Sequence, residues 1–537
     1  MLLLGDETRV LSSARSPPRS RRRRCALVEP RPIRPPIPPP LVARPPPDQT
    51  LLCVAAMAIL TALPLRLSRR PARVLLGGLL FVFFILTLTR RRTAPPPPPS
   101  SSVHYKAATK SFFPPLKHKA GLDPDFCENF PTKQLDDIQV VLKTGAADGP
   151  KLKAHLSTIT SCIPNLLIVS DHEQKIGEYK VVDILAELPL SYAEGNHDFK
   201  TYTENKKAQA EGDTVNYSQA GWRLDRFKFL PMVDKAYAMN PKAKWYVFLE
   251  SDVYFFWDTL FRLLDQFDPT EAHYLGSTSP GPDSRWFAYG GAGIVISQGL
   301  MKKIYTPKLE VGTVSAETKL AVRYEKMVKE DCCGDAVLAH AIQNITGVTL
   351  EALYPTFSGE ELKDVSITSD RWCVPLLSLH RVPPEQMESL WKWERTRPYN
   401  QKPLVYSSLL AYTHSFLREA ASKEWWDNLS VAPVPNDRPA HRNAGSCGSE
   451  CEKDRNCLQW SYSQTVCRWA NYIKLGNAVD PENGGQGIMS SGWDLKKMAE
   501  LGFKVDEESD INDTCEEASW VKAQLPKDGK AGKATTR

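Results

Sequence analysis

The chain has 537 residues, enough for a large core and more than one domain, and carries a formal net charge of +6. That charge is uneven: residues 1–92 hold 17 Arg and no Lys against Asp6, Glu7, Glu29 and Asp48, a surplus of 13 that leaves the remainder at −7. A mildly acidic globular part has no electrostatic footprint for nucleic acid, so that class of partner is excluded.

The first hundred residues contain 19 of the 43 prolines, with Arg21–Arg24 and Pro95–Pro99 as runs. Such composition cannot bury a core, so residues 1–73 read as a disordered, Pro/Arg-rich cytosolic tail. Residues 74–89 (VLLGGLLFVFFILTLT) are uncharged and lie between Arg73 and Arg90. They are slightly fewer than the about 17–25 of a usual span, but arginines at both ends snorkel and extend it. A short span suits the thinner membranes of the early secretory pathway. Fourteen arginines precede it and three follow directly, which puts the N-terminus in the cytosol and the bulk in the lumen. No small-residue cleavage site follows, so the expectation is a single transmembrane signal anchor, with Met1 and Met57 both candidate starts. Residues 90–135 read as a stem. Ten of the twelve cysteines and the sequons at Asn216, Asn344, Asn428 and Asn512 lie beyond the anchor. Together they fit an oxidising lumen with disulfides and glycans.

The luminal chain begins with an α/β unit. Residues 138–142 (IQVVL) read as a buried strand followed by a turn at Lys143, Thr144 and Gly145. A helix is expected over 151–160, a second strand over 165–170 ending in Ser170 and Asp171, and a third over 181–185. Residues 191–218 are polar and read as a surface loop. Apolar residues at helical spacing predict a helix over 222–239.

Next comes the stretch on which the functional reading rests, 245–258 (WYVFLESDVYFFWD). Five apolar residues form a strand buried on both faces, and Glu250, Ser251 and Asp252 interrupt the run. Carboxylates at a buried strand end cost several kcal/mol unless a cation or hydrogen bonds compensate. In open α/β sheets the carboxyl end of a strand is where ligands bind, and carboxylate oxygens suit Mg²⁺ and Mn²⁺. The functional reading is a divalent-metal site holding a diphosphate; the plain one is a capping acid beside a surface acid. A helix over 257–267 follows, and the alternation implies a largely parallel, helix-covered sheet.

Residues 287–297 (FAYGGAGIVIS) place Gly290, Gly291 and Gly293 where the backbone turns tightly or approaches a ligand, with packing alone as the alternative. Residues 329–343 (KEDCCGDAVLAHAIQ) put Asp335 at a helix start, where N-capping is the plain role. Residues 376–381 (LLSLHR) end a strand at His380. Cys447, Cys451, Cys457 and Cys467 mark a disulfide-stapled module of about 60 residues, too small to rely on its core alone.

In series, IQVVLKTG, LLIVSD, GWRLDRFKFLPMV, WYVFLESDVYFFWDTL, FAYGGAGIVIS, CCGDAVLAHAI and SLHRVPPEQM resemble the fungal branch of glycosyltransferase family 31, related to the core 1 β-1,3-galactosyltransferases and Fringe. The resemblance covers roughly residues 136–400, and the Cys447–Cys467 segment resembles the PAN/apple-like appendage of such proteins. It implies a GT-A type, Rossmann-like mixed α/β sheet over 136–430, a PAN-like module over 440–500 and a tail over 501–537. It also implies a Golgi type II membrane enzyme that uses Mn²⁺ and a UDP-sugar, acts on a glycan or glycoprotein acceptor, and inverts the anomeric carbon, with a β-1,3 linkage. Carried over, the metal ligands fall on Asp252 and His380, with Glu250 reaching ribose or a metal-bound water. The catalytic base falls on Asp335, or on Asp331 if the register slips. Gly290, Gly291 and Gly293 lie beside donor sugar and acceptor, and Lys143, Thr144, Ser170 and Asp171 border the uridine. The family often shows three acids in a row, and here the middle position is Ser251. A catalytically degenerate glycan-binding protein on the same scaffold is therefore the competing reading. A luminal hydrolase with paired carboxylates is a weaker third, because it leaves His380 and the glycines without a task.

Overall fold

The computed structural model describes residues 125–281, 285–306, 319–397, 404–413, 416–417, 421–480 and 488–502, with 100–101, 113, 116, 515, 518, 520 and 522–523. The expected tail over 1–73, the anchor over 74–89, much of the stem and most of the 501–537 tail lie outside the described residues. Among the described residues no helix is long and apolar enough to cross a membrane.

Strand β1 (Ile138–Lys143) is buried along its whole length. Its side chains alternate between two cores: Ile138, Val140 and Leu142 enter one, and Val141 enters the other. The sheet thus needs apolar cover on both faces, and the sequence supplies helices for each. Beyond β1 come α1 (Gly149–Leu156), β2 (Leu166–Ser170), β3 (Gln174–Ile176) and β4 (Tyr179–Asp183). Helix α2 (His197–Ala210) and α3 (Phe229–Met239) lead into β5 (Trp245–Glu250). Then follow β6 (Tyr254–Phe255), α4 (Trp257–Leu264), β7 (Tyr274–Gly276) and β8 (Ile294–Ser297). Helix α5 (Gln298–Tyr305), α6 (Gly334–Thr346), β9 (Glu351–Ala352), β10 (Ser378–Leu379) and α7 (Pro384–Thr396) complete this part. Eight strands, among the described residues, form one mixed sheet in the order β9-β7-β8-β5-β1-β2-β4-β3. The central pairs β5:β1, β1:β2 and β2:β4 are parallel, and β8 runs antiparallel to β5.

Three expectations need correction. Residues 191–218 are not a loop, because they contain α2. Its polar face hides the signal; Asn196 accepts the Asp198 N–H as N-cap, and Phe199 and Tyr202 are the buried residues that dock it. The helix over 222–239 is three pieces: Gln219–Arg223, a 3₁₀ turn over Leu224–Lys228, and α3. Pro231 sits in the first turn of α3, where its missing N–H costs nothing. Asp335 is not an N-cap, since Cys333 holds that position and Asp335 is the second helical residue of α6.

The C-terminal part is a five-stranded antiparallel sheet, order β11-β15-β13-β14-β12, made of β11 (Ser422–Glu424), β12 (Ala432–Pro433), β13 (Gln459–Ser463), β14 (Val466–Ala470) and β15 (Ser490–Trp493). Helix α8 (Ala444–Lys453) packs on it. This sheet starts at Ser422, upstream of the expected 440 boundary. Leu458, Ile473 and Trp493 enter the same core as β1, so the unit is packed on the larger sheet rather than tethered to it. Cys447–Cys467 and Cys451–Cys457 staple it. Cys127–Cys162, Cys332–Cys333 and Cys373–Cys515 pair the remaining cysteines beyond residue 92.

Candidate active site

Parallel pairing sets β1 and β5 in register, with Lys143 opposite Glu250. Both strands end at the same edge, and the chain after each turns over that edge. Ser251 donates its N–H to the Lys143 carbonyl (2.9 Å), and the hydroxyls of Thr144 and Ser251 are 3.1 Å apart. Ser251 is buried and faces inward, so the middle position of the acidic triplet ties two strand ends together. An acid is not needed there for the flanking carboxylates to meet the cleft.

Asp252 and His380 are 128 positions apart and are brought together by a short antiparallel ribbon. Strand β6 pairs with β10, Leu379 opposite Tyr254, and Val382 donates its N–H to the Asp252 carbonyl (2.9 Å). From α1, His155 reaches the Val253 carbonyl with Nε2 (3.0 Å), fixing the backbone just after Asp252. His380 Nε2 then lies 3.6 Å from Asp252 Oδ1. Glu250, Asp252 and His380 offer ligand atoms all within 4.8 Å of one another.

Around this trio lies a chain of charges. Lys143, 3% exposed, is ion-paired to Asp225 and to Glu250 (3.2 Å). Burial would depress its pKa, but the two carboxylates more than reverse that and it rises. Lys228 binds Asp171 (3.0 Å), Asp225 (3.6 Å) and the Thr144 carbonyl (2.8 Å). Asp225 and Lys228 are three apart in a 3₁₀ turn, where such side chains eclipse, and the Asp225 carboxylate is thereby shared between Lys228 and Lys143. Lys151, from the first turn of α1, bridges Asp148 (3.2 Å) and Asp252 Oδ2 (3.0 Å). Burial, reinforced by the Asp225 and Asp252 charges, pushes Glu250 up to about 7 against the pull of Lys143. Burial lowers the pKa of His380, so its imidazole is held neutral. Asp225 and Asp171 are held below the usual carboxylate range by their lysines, against the burial that would raise them.

The glycine turn completes the floor. A Cβ on Gly290 would sit 2.8 Å from Glu250 Oε1, and one on Gly291 would sit 2.6 Å from His380 Cε1. Gly293 has φ +83° and faces Phe255. The turn is therefore residue-specific because the two candidate ligands pack against its backbone. Gly290 also donates its N–H to Asp335 Oδ2 (3.0 Å), while Asp335 Oδ1 accepts from Ala336 N–H (3.0 Å). Burial raises Asp335 to about 6, against the lowering effect of those two bonds. Asp331 ends the preceding helix, Glu325–Glu330, accepts the Cys333 N–H (3.0 Å) and faces Arg226. Of the two candidate bases, Asp335 is thus the one joined to the glycine turn.

The structure places Lys143, Thr144, Ser170 and Asp171 together at the ends of β1 and β2, all buried. Lys143, Thr144 and Asp171 have partners within the protein, so they shape this edge as much as they border it. Sequence reading passed over Asp225, Lys228, Lys151 and Tyr289. The first two sit at i and i+3 within GWRLDRFKFLPMV, a signal that was available. Lys151 and Tyr289 left none, since only folding brings them to Asp252 and His380.

The donor set suits a hard divalent cation: two carboxylates and a neutral imidazole, with carboxylates outnumbering ammonium groups around them. His380 Nε2 is too far from Asp252 for a hydrogen bond and faces oxygen atoms, an arrangement that a cation between them relieves.

Residues 191–370 match the family model described as Fringe-like. The match takes in α3, β5, the acidic triplet, the glycine turn and Asp335, and it supports a glycosyltransferase. A crystal structure of a glycosyltransferase involved in the glycosylation of the major capsid of PBCV-1 is similar over 47% of this chain and 98% of that one, at 12% identity and a TM-score of 0.18. That likeness is too slight to carry an argument. No curated protein matches.

Proposed function

We propose that the chain is an inverting, Mn²⁺-dependent glycosyltransferase of the GT-A type that moves a sugar from a UDP-sugar to a glycan or glycoprotein hydroxyl, in a β-1,3 linkage of the galactosyltransferase kind. The observation that carries this reading is the meeting of Glu250, Asp252 and His380 at one point, with Asp335 held across Gly290 from them. A bound divalent ion supplies Lewis-acid stabilisation of the charge that develops on a departing diphosphate. Asp252 and His380 would hold it, and the oxygen of Glu250 that Lys143 leaves free would complete the protein's share. Lys151, half-exposed at the rim, adds positive charge where phosphates would lie. Asp335 would take the proton from the incoming hydroxyl, and a carboxyl raised to about 6 is well matched to a base working near neutrality. With Asp335 outside the ligand set, one base suffices for attack on the face opposite the leaving group.

The N-terminal apolar run, the five disulfides and the sequons support a Golgi type II membrane protein with this domain in the lumen. The stapled sheet-and-helix unit after residue 421 fits a PAN/apple-like module. A panel of UDP-sugars assayed with and without Mn²⁺ tests the activity. Turnover that requires Mn²⁺ and vanishes in Asp252→Ala supports the transferase. Glycan binding indifferent to metal and nucleotide, without turnover, replaces it with the binding-protein reading.

A further inference from the structure

Tyr289 stands immediately before the glycine turn, and neither strand periodicity nor the glycine pattern assigns it a task. Its hydroxyl lies 3.1 Å from His380 Nδ1, and its ring meets the imidazole edge-on, with centroids 5.5 Å apart at 86°. The same ring closes the space above Gly291, where a Cβ would meet Tyr289 Cζ at 2.7 Å and His380 Nε2 at 2.7 Å. From the other side, Gly359 approaches Tyr289 so closely that a Cβ there would touch its Cδ1 at 3.2 Å. The phenol is thus wedged between two glycines and points at one nitrogen of one histidine.

A neutral imidazole has one N–H and one lone pair, and the hydrogen bond at one nitrogen decides which end is which. His380 is 9% exposed, so its ring protons are settled by protein groups. Nδ1 faces the Tyr289 hydroxyl within hydrogen-bond distance. Nε2 faces Asp252 Oδ1 at 3.6 Å, beyond that distance. We propose that Tyr289 is a positioning residue that sets the tautomer of His380: its oxygen accepts the Nδ1 proton, which leaves the Nε2 lone pair turned toward Glu250 and Asp252. This rests on the metal-site reading above and extends it to a residue outside the ligand set. The logic is that of a ligating histidine whose second nitrogen is fixed by an outer partner, which raises its basicity and locks its plane. Without the phenol oxygen the Nδ1 proton loses its acceptor. The tautomer that leaves the Nε2 lone pair open to a cation is then no longer favoured over the one whose Nε2–H faces the Asp252 carboxylate.

Tyr289→Phe removes only the oxygen and keeps the ring that packs on His380 and Gly291. Two measurements on the wild type and this variant decide the proposal. Calorimetric titration with MnCl₂ alone should show an affinity about tenfold to a hundredfold weaker in the variant, the usual cost of losing such a partner. The ¹⁵N shifts of histidine-labelled, metal-free protein should show His380 as the Nδ1–H tautomer in the wild type and a shift toward Nε2–H in the variant. Equal Mn²⁺ affinities, or a wild-type His380 already protonated at Nε2, would overturn the assignment. A wild type that binds no Mn²⁺ sinks the metal reading itself, and the wild-type ¹⁵N shifts then still decide what Tyr289 does.

Discussion

Replacing Asp335 by Asn separates catalysis from stability with opposite signs. Burial has raised this carboxyl from 3.8 to about 6. At about 1.4 kcal/mol per pH unit, its ionised form costs the folded protein about 3 kcal/mol. The native state holds the proton more tightly than the unfolded chain, so stability falls as pH rises from about 4 to about 6 and is level above. Asn carries no charge and escapes that cost. It has one acceptor oxygen, however, where Asp335 accepts from both Gly290 and Ala336, and losing one such bond costs about 1 kcal/mol. Asp335→Asn should therefore be about 2 kcal/mol more stable than wild type at pH 7.5 and about 1 kcal/mol less stable at pH 4. Its turnover should fall by about 10² to 10⁴, with UDP affinity retained. Urea unfolding of metal-free protein at the two pH values, with UDP titration in Mn²⁺, measures all of this. A variant less stable by the same amount at both pH values, or one that no longer binds UDP, would refute the reasoning and make Asp335 a structural anchor.

Three further outcomes are expected. With Mn²⁺ saturating, turnover should rise with pH through about 6 and level off, because Asp335 must be ionised to accept a proton; a profile flat from pH 5 to 8 would remove it as the base. Gly291→Ala should weaken Mn²⁺ binding about tenfold or more, because its Cβ would lie 2.6 Å from His380 Cε1. Gly149→Ala, with nothing within 4 Å of the added carbon, is the matched control. Peptide mass spectrometry of secreted protein should find Asn216 glycosylated and Asn428 bare. Asn216 is exposed, whereas Asn428 is fully buried and donates to the carbonyls of Trp460 (3.0 Å) and Gly492 (3.1 Å); a glycan on Asn428 would contradict that packing.

How much of this was legible beforehand follows the physics of each element. Strands β2 and β5 were readable because each is a continuous apolar run, and β1 because Gln139 alone interrupts its apolar residues, the mark of burial on both faces. Helix α2 was not, because its fourteen residues bury only Asp198, Phe199 and Tyr202, too few for a periodic signal. The break at Leu224–Lys228 was equally hidden, since the segment carries helical spacing on both sides and only tertiary contact interrupts it. At the site, Asp252 and His380 stood out by residue type at strand ends. Lys143 was named through the resemblance, but its pairing with Asp225 and Glu250 was not legible. A Lys at the end of a strand looks solvated until the fold puts two carboxylates on it. Ser251 looked like a deficiency in the acidic triplet and is instead a strand-end tie to Thr144. The N-terminal side of the C-terminal sheet was missed because β11 and β12 are three and two residues long, with exposed side chains among them.

The claim on which the rest depends is that two side chains far apart in sequence share one ion. Crystals grown with MnCl₂ and UDP, with diffraction recorded at the manganese edge, address it most directly. One anomalous peak in contact with both Asp252 and His380 Nε2 is the predicted result. A peak bound elsewhere, or one that touches only one of the two, would contradict it.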